Sequence, residues 1–186
     1  NLAGVWQLPL VAVVNNNHWA ISVPFSKQSS VQTIAQKAIA AEVEALQVDG
    51  NDPVALLCCF DRALRKARDN KGATLIEAVT YRLGDHTTAD DARRYRSAAD
   101  LKSAEEVEPM IRLRKWLTQN GLWHDEQEKI EIQECKARIQ IEVKAYLETP
   151  PQKVDDFFDY VYEHCPDDLI IQKEIARTKA QRLNKS

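Results

Sequence analysis

Three consecutive asparagines, Asn15 to Asn17, follow a short apolar run and precede His18 and Trp19. A tight turn needs one or two such residues, because an asparagine side chain hydrogen-bonds to its own backbone two residues further on. The plainest interpretation is therefore a turn that ends a strand. The surplus amide oxygens also suit a hard cation, since Mg²⁺ takes oxygen ligands and shares them with phosphates and water. The residues alone leave both interpretations open.

A second group of candidate residues surrounds His86, in the stretch GDHTTADD. A single histidine is more often a structural group than a catalyst. Imidazole nevertheless titrates close to neutral pH, so a histidine in a polar loop can accept and donate protons in a reaction. His86 is therefore a candidate acid–base residue, and a surface loop held by ion pairs is the structural alternative.

Both stretches follow segments that have the composition of β-strands, which are 9–14, 45–50 and 73–82. The first is a continuous apolar run, and this predicts a strand that is buried on both faces of a parallel sheet. Helical patterns lie between the strands. One covers 30–41, and another begins at Pro53 with Asp52 as its N-cap and a buried face that includes Val54, Leu57, Ala63 and Ala67.

This alternation of strands and helices predicts an α/β fold with a doubly wound, mostly parallel sheet. Ligands of such sheets bind beyond the carboxyl ends of the strands, where both polar stretches lie. We predict an α/β part over 1–84, a loop over 85–98 and a helical region over 99–186. Helical patterns in its second half cover 124–148, as an amphipathic helix, and then 153–163 and 167–183.

Composition limits the classes of partner. The net charge is −3, so no basic surface predicts binding to nucleic acid. The apolar runs are too short to cross a bilayer, and no membrane partner is expected. The four cysteines lack paired metal-binding spacing, which favours small buried side chains and a cytoplasmic location. Because the chain opens on NLAGVWQLPL without a methionine, we expect a longer polypeptide of which this is the C-terminal part.

The order of motifs resembles the α subunit of the thiamine-diphosphate-dependent decarboxylating component of 2-oxo acid dehydrogenase complexes, the pyruvate dehydrogenase type. NLAGVWQLPLVAVVNNNHWAIS resembles the second half of the thiamine-diphosphate motif, which opens with Gly-Asp-Gly and closes with Asn-Asn. The resemblance continues through QVDGNDP, LIEAVTYRLGDHTTADDARRYRS, LRKWL and TPPQKVDDFF, and so covers nearly the whole chain. It implies a partial thiamine-diphosphate-binding fold whose N-terminal part, with the Gly-Asp-Gly half, precedes residue 1.

The resemblance assigns the cofactors thiamine diphosphate and Mg²⁺ to the asparagine stretch. Asn17 matches the asparagine whose side-chain oxygen binds the metal, and Trp19 matches the aromatic residue whose main-chain carbonyl binds it. Asn15 falls where relatives place a polar or basic residue near the diphosphate. A further metal ligand, the aspartate of Gly-Asp-Gly, is expected upstream of this chain.

His86 matches the catalytic histidine of the family and is also expected to contact the cofactor. Many relatives have a histidine where this chain has Asp85. Thr87 stands where mitochondrial relatives have a regulatory phosphoserine, and a phosphate there would add about two negative charges beside a diphosphate. Four residues match those that order the active-site loop: Arg82, Asp90, Tyr95 and Arg96.

The implied reaction is the oxidative decarboxylation of a 2-oxo acid with transfer of the acyl group to a lipoyl domain. Pyruvate is the favoured substrate. The implied partners are a β subunit in an α₂β₂ heterotetramer and a lipoyl-bearing acyltransferase component. The isolated chain is expected to be inactive, since the cofactor lies between the two subunits. Alternatives are a branched-chain 2-oxo acid or acetoin dehydrogenase α subunit, and a non-catalytic module whose 99–186 region docks a partner.

Overall fold

The computed structural model describes residues 1–183, and the last three residues of the predicted 99–186 region lie outside it. Contacts divide the chain into a compact unit over Asn1–Asp125 and a second unit that begins at Glu126. The first unit contains, in chain order, α1 Leu2–Val5, β1 Val11–Asn16, β2 Trp19–Ala20, β3 Val23–Pro24, α2 Phe25–Gln28, a 3₁₀ helix Ala35–Ala41, β4 Glu44–Asp49, α3 Pro53–Arg68, β5 Thr74–Val79, a 3₁₀ helix Ala92–Arg94, α4 Ala98–Glu106 and α5 Pro109–Gln119.

The second unit is helical, with α6 Asp125–Glu148, α7 Asp156–Asp159 and α8 Asp167–Leu183. The predicted helices at 124–148 and 167–183 are confirmed. The one predicted at 153–163 is only a single turn, because its valine and aromatic residues lose side-chain freedom in a helix. No helix within residues 1–183 is long and apolar enough to span a membrane.

A charged cluster joins α8 to the segment that contains α7. Arg177 of α8 donates from Nε and Nη2 to the two carboxylate oxygens of Asp155, at 2.6 and 3.0 Å. Lys173 forms an ion pair with Asp159 of α7.

No residue described between 126 and 183 is buried, and the apolar side chains of α6 point to opposite sides, as Ile130 and Ile132 do. The prediction of an amphipathic α6 was therefore wrong.

β5 is the central strand of a three-stranded parallel sheet with the order β1-β5-β4. This confirms the predicted α/β class with a parallel sheet followed by a helical region. β1, however, was expected to be buried on both faces. It pairs only with β5 in the described part of the chain, so it is an edge strand, and Val13 is 49% exposed.

Two of the three asparagines belong to β1, which ends at Asn16 rather than before the run. The helix predicted at 30–41 is instead an irregular segment followed by the 3₁₀ helix Ala35–Ala41. The N-terminus of this 3₁₀ helix is held from outside the segment, since the carboxylate of Glu77 accepts a hydrogen bond from the Ala35 N–H at 3.0 Å. A tertiary contact therefore overrides the local helical pattern.

Asp52 caps α3 as predicted, and its carboxylate oxygen accepts the N–H groups of Val54 and Ala55, both at 3.0 Å. The predicted buried face was half wrong. Ala63 and Ala67 are buried, but Val54 is 43% exposed and Leu57 is 70% exposed. The contacts of α3 with the sheet are thus concentrated in its C-terminal half.

The cysteines were expected to be buried, and this was wrong for all four. Cys58 and Cys135 are exposed, and Cys59 and Cys165 are half-buried. Cys58 lies on the outward side of α3, and Cys135 lies on α6, which has no buried residue. Trp6 and Trp116 are exposed as well.

The core contains one buried carboxylate, that of Glu77 in the middle of β5, with no exposed surface. Its donors are Asn16 Nδ2 at 2.7 Å, the Ala35 N–H and Gln47 Nε2 at 3.3 Å. Burial alone favours the protonated carboxyl and is the largest influence on its pKa. The hydrogen bonds, that of the Ala35 N–H first, together outweigh it, so the pKa of Glu77 lies below its ordinary value.

This lowered pKa predicts how Glu77 affects stability in acid. A folded-state pKa below the unfolded one stabilises the fold above the ordinary value of 4.5, and this contribution is lost as pH falls through the folded value. We expect Glu77→Gln to lower the free energy of unfolding by about 1–3 kcal/mol at neutral pH. Urea unfolding should show the difference shrinking below pH 4.5. Glu105→Gln, at an exposed position, is the control, and a constant difference for Glu77→Gln would contradict the prediction.

Candidate functional site

Three strand ends lie side by side at one edge of the sheet. The last residue of β5, Val79, is in register with Asn16 at the end of β1 and with Asp49 at the end of β4. The loops that follow therefore start at the same level, as expected for a ligand site in a parallel sheet. A cleft of 540 Å³ opens there, and its lining includes His18, Trp19, Asp49, Asn51, Thr80 and Tyr81.

The loop after β1 folds through two successive side-chain turns. Asn16 Oδ1 accepts the His18 N–H at 3.1 Å, and Asn17 Oδ1 accepts the Trp19 N–H at 3.0 Å. Between them His18 has a φ of +67°, in the left-handed region that side chains other than glycine rarely adopt. The turn interpretation of the asparagines is therefore correct for Asn16 and Asn17, and it does not exclude a ligand role.

Two oxygens of this loop keep capacity for a cation. An amide oxygen has two lone pairs, and the hydrogen bond from Trp19 occupies one of those on Asn17. Trp19 is paired with Pro24 in the β2–β3 hairpin, and proline has no N–H to offer the Trp19 carbonyl. Residues 1–183 contain no cluster of three His, Cys, Asp or Glu residues suited to a metal. Neutral oxygen donors of this kind fit Mg²⁺ whose remaining ligands are phosphate and water.

Asn15 makes a different contact. Its exposed side chain accepts a hydrogen bond from Thr80 Oγ1 at 2.5 Å, which ties the end of β1 to the residue after β5. Asn15, Asn17 and Trp19 line a smaller cavity of 140 Å³. A contact of Asn15 with a diphosphate stays a prediction.

Four hydrogen bonds link the 85–98 loop, through Arg82, to the loop after β1. Arg82 Nη2 donates to the Ile21 carbonyl and to the Tyr95 hydroxyl, both at 2.7 Å. The Tyr95 hydroxyl donates to Asp90 Oδ2 at 2.5 Å, and the same oxygen accepts the His86 N–H at 2.8 Å. The hydrogen bond from Tyr95, followed by that from His86, holds the pKa of Asp90 below its usual value. Burial and then the bond to Asp90 raise the pKa of Tyr95, so the acceptor is ionised and the phenol is neutral.

Ring contacts extend this connection to the candidate metal loop. The rings of Trp19 and Tyr95 lie 5.4 Å apart at 50°, and the guanidinium of Arg82 lies 5.9 Å from the Tyr95 ring centre. Arg96 donates to the carbonyls of Arg82 and Leu83, the latter at 2.7 Å, which ties the end of the loop to its start. The predicted loop-ordering residues thus form one network.

The structure brings the backbone of His86, but not its imidazole, into this network. The side chain is exposed, has no hydrogen-bond partner within residues 1–183, and lines neither cavity. Asp85, where relatives have a histidine, accepts the Ala92 N–H at 2.9 Å and so closes the loop on itself. Thr87 is exposed, and its carbonyl accepts the Asp90 N–H at 3.1 Å. The catalytic role of His86 stays a prediction.

No specific role was predicted for three residues at this edge, although Asn16 was one of the three asparagines considered. Glu77 and Asn16 hold the loop from below, and the Tyr81 ring lies 5.8 Å beneath the Arg96 guanidinium. A glutamate inside the apolar run ATLIEAV was the available signal, because a charged residue in a central strand has to be paired. Three buried polar atoms at this edge have no partner within the described residues: Trp19 Nε1, Tyr81 Oη and Arg82 Nε.

Removing the Tyr95 hydroxyl should loosen the loop. Tyr95→Phe deletes the bond to Asp90 and one acceptor of Arg82, and a hydrogen bond to a charged group contributes about 1.5–3 kcal/mol. Trypsin should then cleave after Arg93 or Arg94 about tenfold faster or more, because local opening controls access. Tyr81→Phe is the matched control, since that hydroxyl has no partner among the described residues. Equal cleavage rates for the two variants would refute the role of Tyr95.

Comparison with known proteins identifies the family of the chain. The family model described as "Dehydrogenase E1 component" matches residues 1–155. The chain is 40% identical over 183 residues to the pyruvate dehydrogenase E1 component subunit alpha of Bacillus subtilis, which covers 98% of this chain and 49% of that protein. It is 39% identical over 183 residues to the corresponding subunit of Staphylococcus aureus, covering 98% of this chain and 50% of the relative. The chain thus spans about half the length of the curated relatives it matches, and it belongs to the dehydrogenase E1 component family.

Proposed function

We propose that this chain is part of the α subunit of a pyruvate dehydrogenase (acetyl-transferring) that decarboxylates pyruvate and passes the acetyl group to a lipoyl domain. The observation that carries the proposal is the single network that joins the Asn17 and Trp19 turn to the backbone of His86 through Tyr95 and Asp90. The relatives named above are pyruvate dehydrogenase α subunits, and this favours pyruvate over branched-chain 2-oxo acids and acetoin.

The family is thiamine-diphosphate-dependent in general. When bound, the cofactor supplies an electron sink for the bond that decarboxylation breaks. Asn17 Oδ1 and the Trp19 carbonyl hold Mg²⁺ at the carboxyl edge of the sheet, and a diphosphate supplies the negative charge that these neutral ligands lack. Asn15 lies beside the diphosphate.

His86 holds and moves a proton at a nitrogen of its imidazole. Its backbone is fixed by Asp90, while the exposed ring is free to rotate toward a reacting group. Arg82, Tyr95 and Arg96 keep the loop over the metal turn. A non-catalytic docking module has no use for this connection between the two loops, and so it is the weaker alternative.

The proposed partners are a β subunit, in an α₂β₂ heterotetramer, and a lipoyl-bearing acyltransferase component. Exposed large apolar side chains support an assembled state, since a surface rich in them is typical of an interface. Those that are more than half exposed include Leu57 in the first unit and, in the second, Ile139, Ile141, Leu147, Phe157 and Tyr160. We place the enzyme in the cytoplasm and expect the isolated chain to be inactive, because a cofactor shared between subunits needs both.

Two substitutions test the metal and proton-transfer roles separately. In the full-length subunit assembled with its β partner, Asn17→Ala should lower pyruvate decarboxylation and raise the Mg²⁺ concentration needed for half-maximal activity. Asn17→Asp keeps an oxygen ligand and should lose less. His86→Ala should lower turnover by about 100-fold or more, with no change in the Mg²⁺ requirement, because acid–base catalysis contributes about 10²–10⁴-fold.

The control for His86→Ala is His164→Ala, since His164 is exposed and lies in the second unit. It should leave both turnover and the Mg²⁺ requirement unchanged. Full activity of both Asn17→Ala and His86→Ala would overturn the proposed function.

A further inference from the structure

The side-chain amide of Asn16 lies between a buried carboxylate and the strained turn after β1. Its Nδ2 donates to Glu77 Oε1 at 2.7 Å, and its Oδ1 accepts the His18 N–H at 3.1 Å. Asn16 is 7% exposed and Glu77 has no exposed surface, so the bond between these two side chains is shielded from water. The nitrogen and the oxygen of the Asn16 amide therefore each have a hydrogen-bond partner.

A carboxylate at position 77 decides which way this amide points. An ionised carboxylate only accepts hydrogen bonds, so it has to face Nδ2 of Asn16 and not Oδ1. The oxygen is then turned toward the His18 N–H. A glutamine at position 77 could instead donate to Oδ1 of Asn16, which would require the Asn16 amide to be flipped. Nδ2 of Asn16 would then face the His18 N–H, and these two groups are both donors. Charge at Glu77 thus removes an alternative that a neutral side chain of equal size would allow.

The orientation of Asn16 matters because His18 has a left-handed backbone. Such a conformation costs about 1–2 kcal/mol for a residue with a side chain, and it persists only where surrounding contacts determine it. The bond from His18 to Asn16 is one of those contacts. His18 is followed directly by Trp19, whose N–H bonds to Asn17 Oδ1, so the conformation of His18 sets the distance between the two proposed metal oxygens.

We propose that Glu77, acting through the Asn16 amide, is a positioning residue that holds Asn17 Oδ1 and the Trp19 carbonyl at the spacing a divalent cation requires. This inference rests on the proposed function, because it assumes that these two oxygens bind the metal. It adds a carboxylate that does not touch the metal and lies one strand away from the ligands. Residues that orient metal ligands in this way affect metal affinity by about 10-fold to 100-fold.

The other donors of Glu77 offer a matched comparison. Gln47 of β4 bonds to Oε2, not to the oxygen that holds Asn16, and its side chain does not lead to the metal turn. Gln47→Ala and Asn16→Ala therefore each remove one donor from the same carboxylate. A purely structural role of Glu77 predicts that both lower stability and that neither changes metal affinity specifically.

The test measures Mn²⁺ binding, as a spectroscopic substitute for Mg²⁺, in the full-length subunit assembled with its β partner and thiamine diphosphate. Electron paramagnetic resonance gives free Mn²⁺ directly, without turnover. Glu77→Gln and Asn16→Ala should each raise the Mn²⁺ dissociation constant by about tenfold or more, and Gln47→Ala should leave it unchanged. The double variant of Glu77→Gln and Asn16→Ala should have a Mn²⁺ dissociation constant no higher than that of the more strongly affected single variant. Both substitutions act on the same amide, so their effects should not add.

Each outcome decides the inference. Equal effects of Gln47→Ala and Glu77→Gln, or additive effects in the double variant, would overturn it. If Glu77→Gln does not fold, Asn16→Ala against Gln47→Ala decides by the same measurement. Asn17→Ala distinguishes failure of the proposed metal site from failure of the positioning role of Glu77. Unchanged Mn²⁺ affinity in Asn17→Ala would overturn the metal site and the inference together, whereas a loss there with none in Asn16→Ala or Glu77→Gln would overturn the inference alone.

Discussion

A carboxylate that no water can reach has to be surrounded by donors, and Glu77 obtains them from both strands that pair with β5 and from the 3₁₀ helix. An uncompensated buried charge costs several kcal/mol, so each donor is held to its position as firmly as the carboxylate itself. Asn16 comes from β1, Gln47 from β4 and the Ala35 N–H from the 3₁₀ helix. The Glu77 carboxylate therefore holds the elements beside the central strand and, through Asn16, also holds the start of the loop after β1.

The strained backbone lies between this carboxylate and a second charged group. His18 and Ile21 both have positive φ values, +67° and +53°, and such a value is a clear outlier for the β-branched Ile21. Asn16 accepts the N–H of His18 from below, and Arg82 donates to the carbonyl of Ile21 from the loop above. Both residues keep these conformations because the amide of Asn16, at the end of β1, and the guanidinium of Arg82, in the segment after β5, bind their polar groups.

Sequence reasoning succeeded where one residue determines local geometry. Asp52 before Pro53 predicted the start of α3, and the alternation of strands and helices predicted that two polar loops would lie at one edge of the sheet. It failed where a distant partner decides. The helix expected at 30–41 became a 3₁₀ segment because Glu77 holds Ala35. The burial expected for Leu57 and Cys58 failed because hydropathy does not tell an interior from a surface that another chain could cover.

Trp19 takes part in both halves of the site, and this explains why the loops cannot be considered separately. Its carbonyl is a proposed ligand of the cation, its N–H bonds to Asn17, and its ring contacts Tyr95. Any movement that spoils the carbonyl position also shifts the ring against which Tyr95 rests. Tyr95 in turn holds Asp90, which holds the backbone of His86. The His86 side chain is exposed, while its main chain is connected through Asp90 and Tyr95 to Trp19, whose carbonyl is one of the two proposed metal ligands.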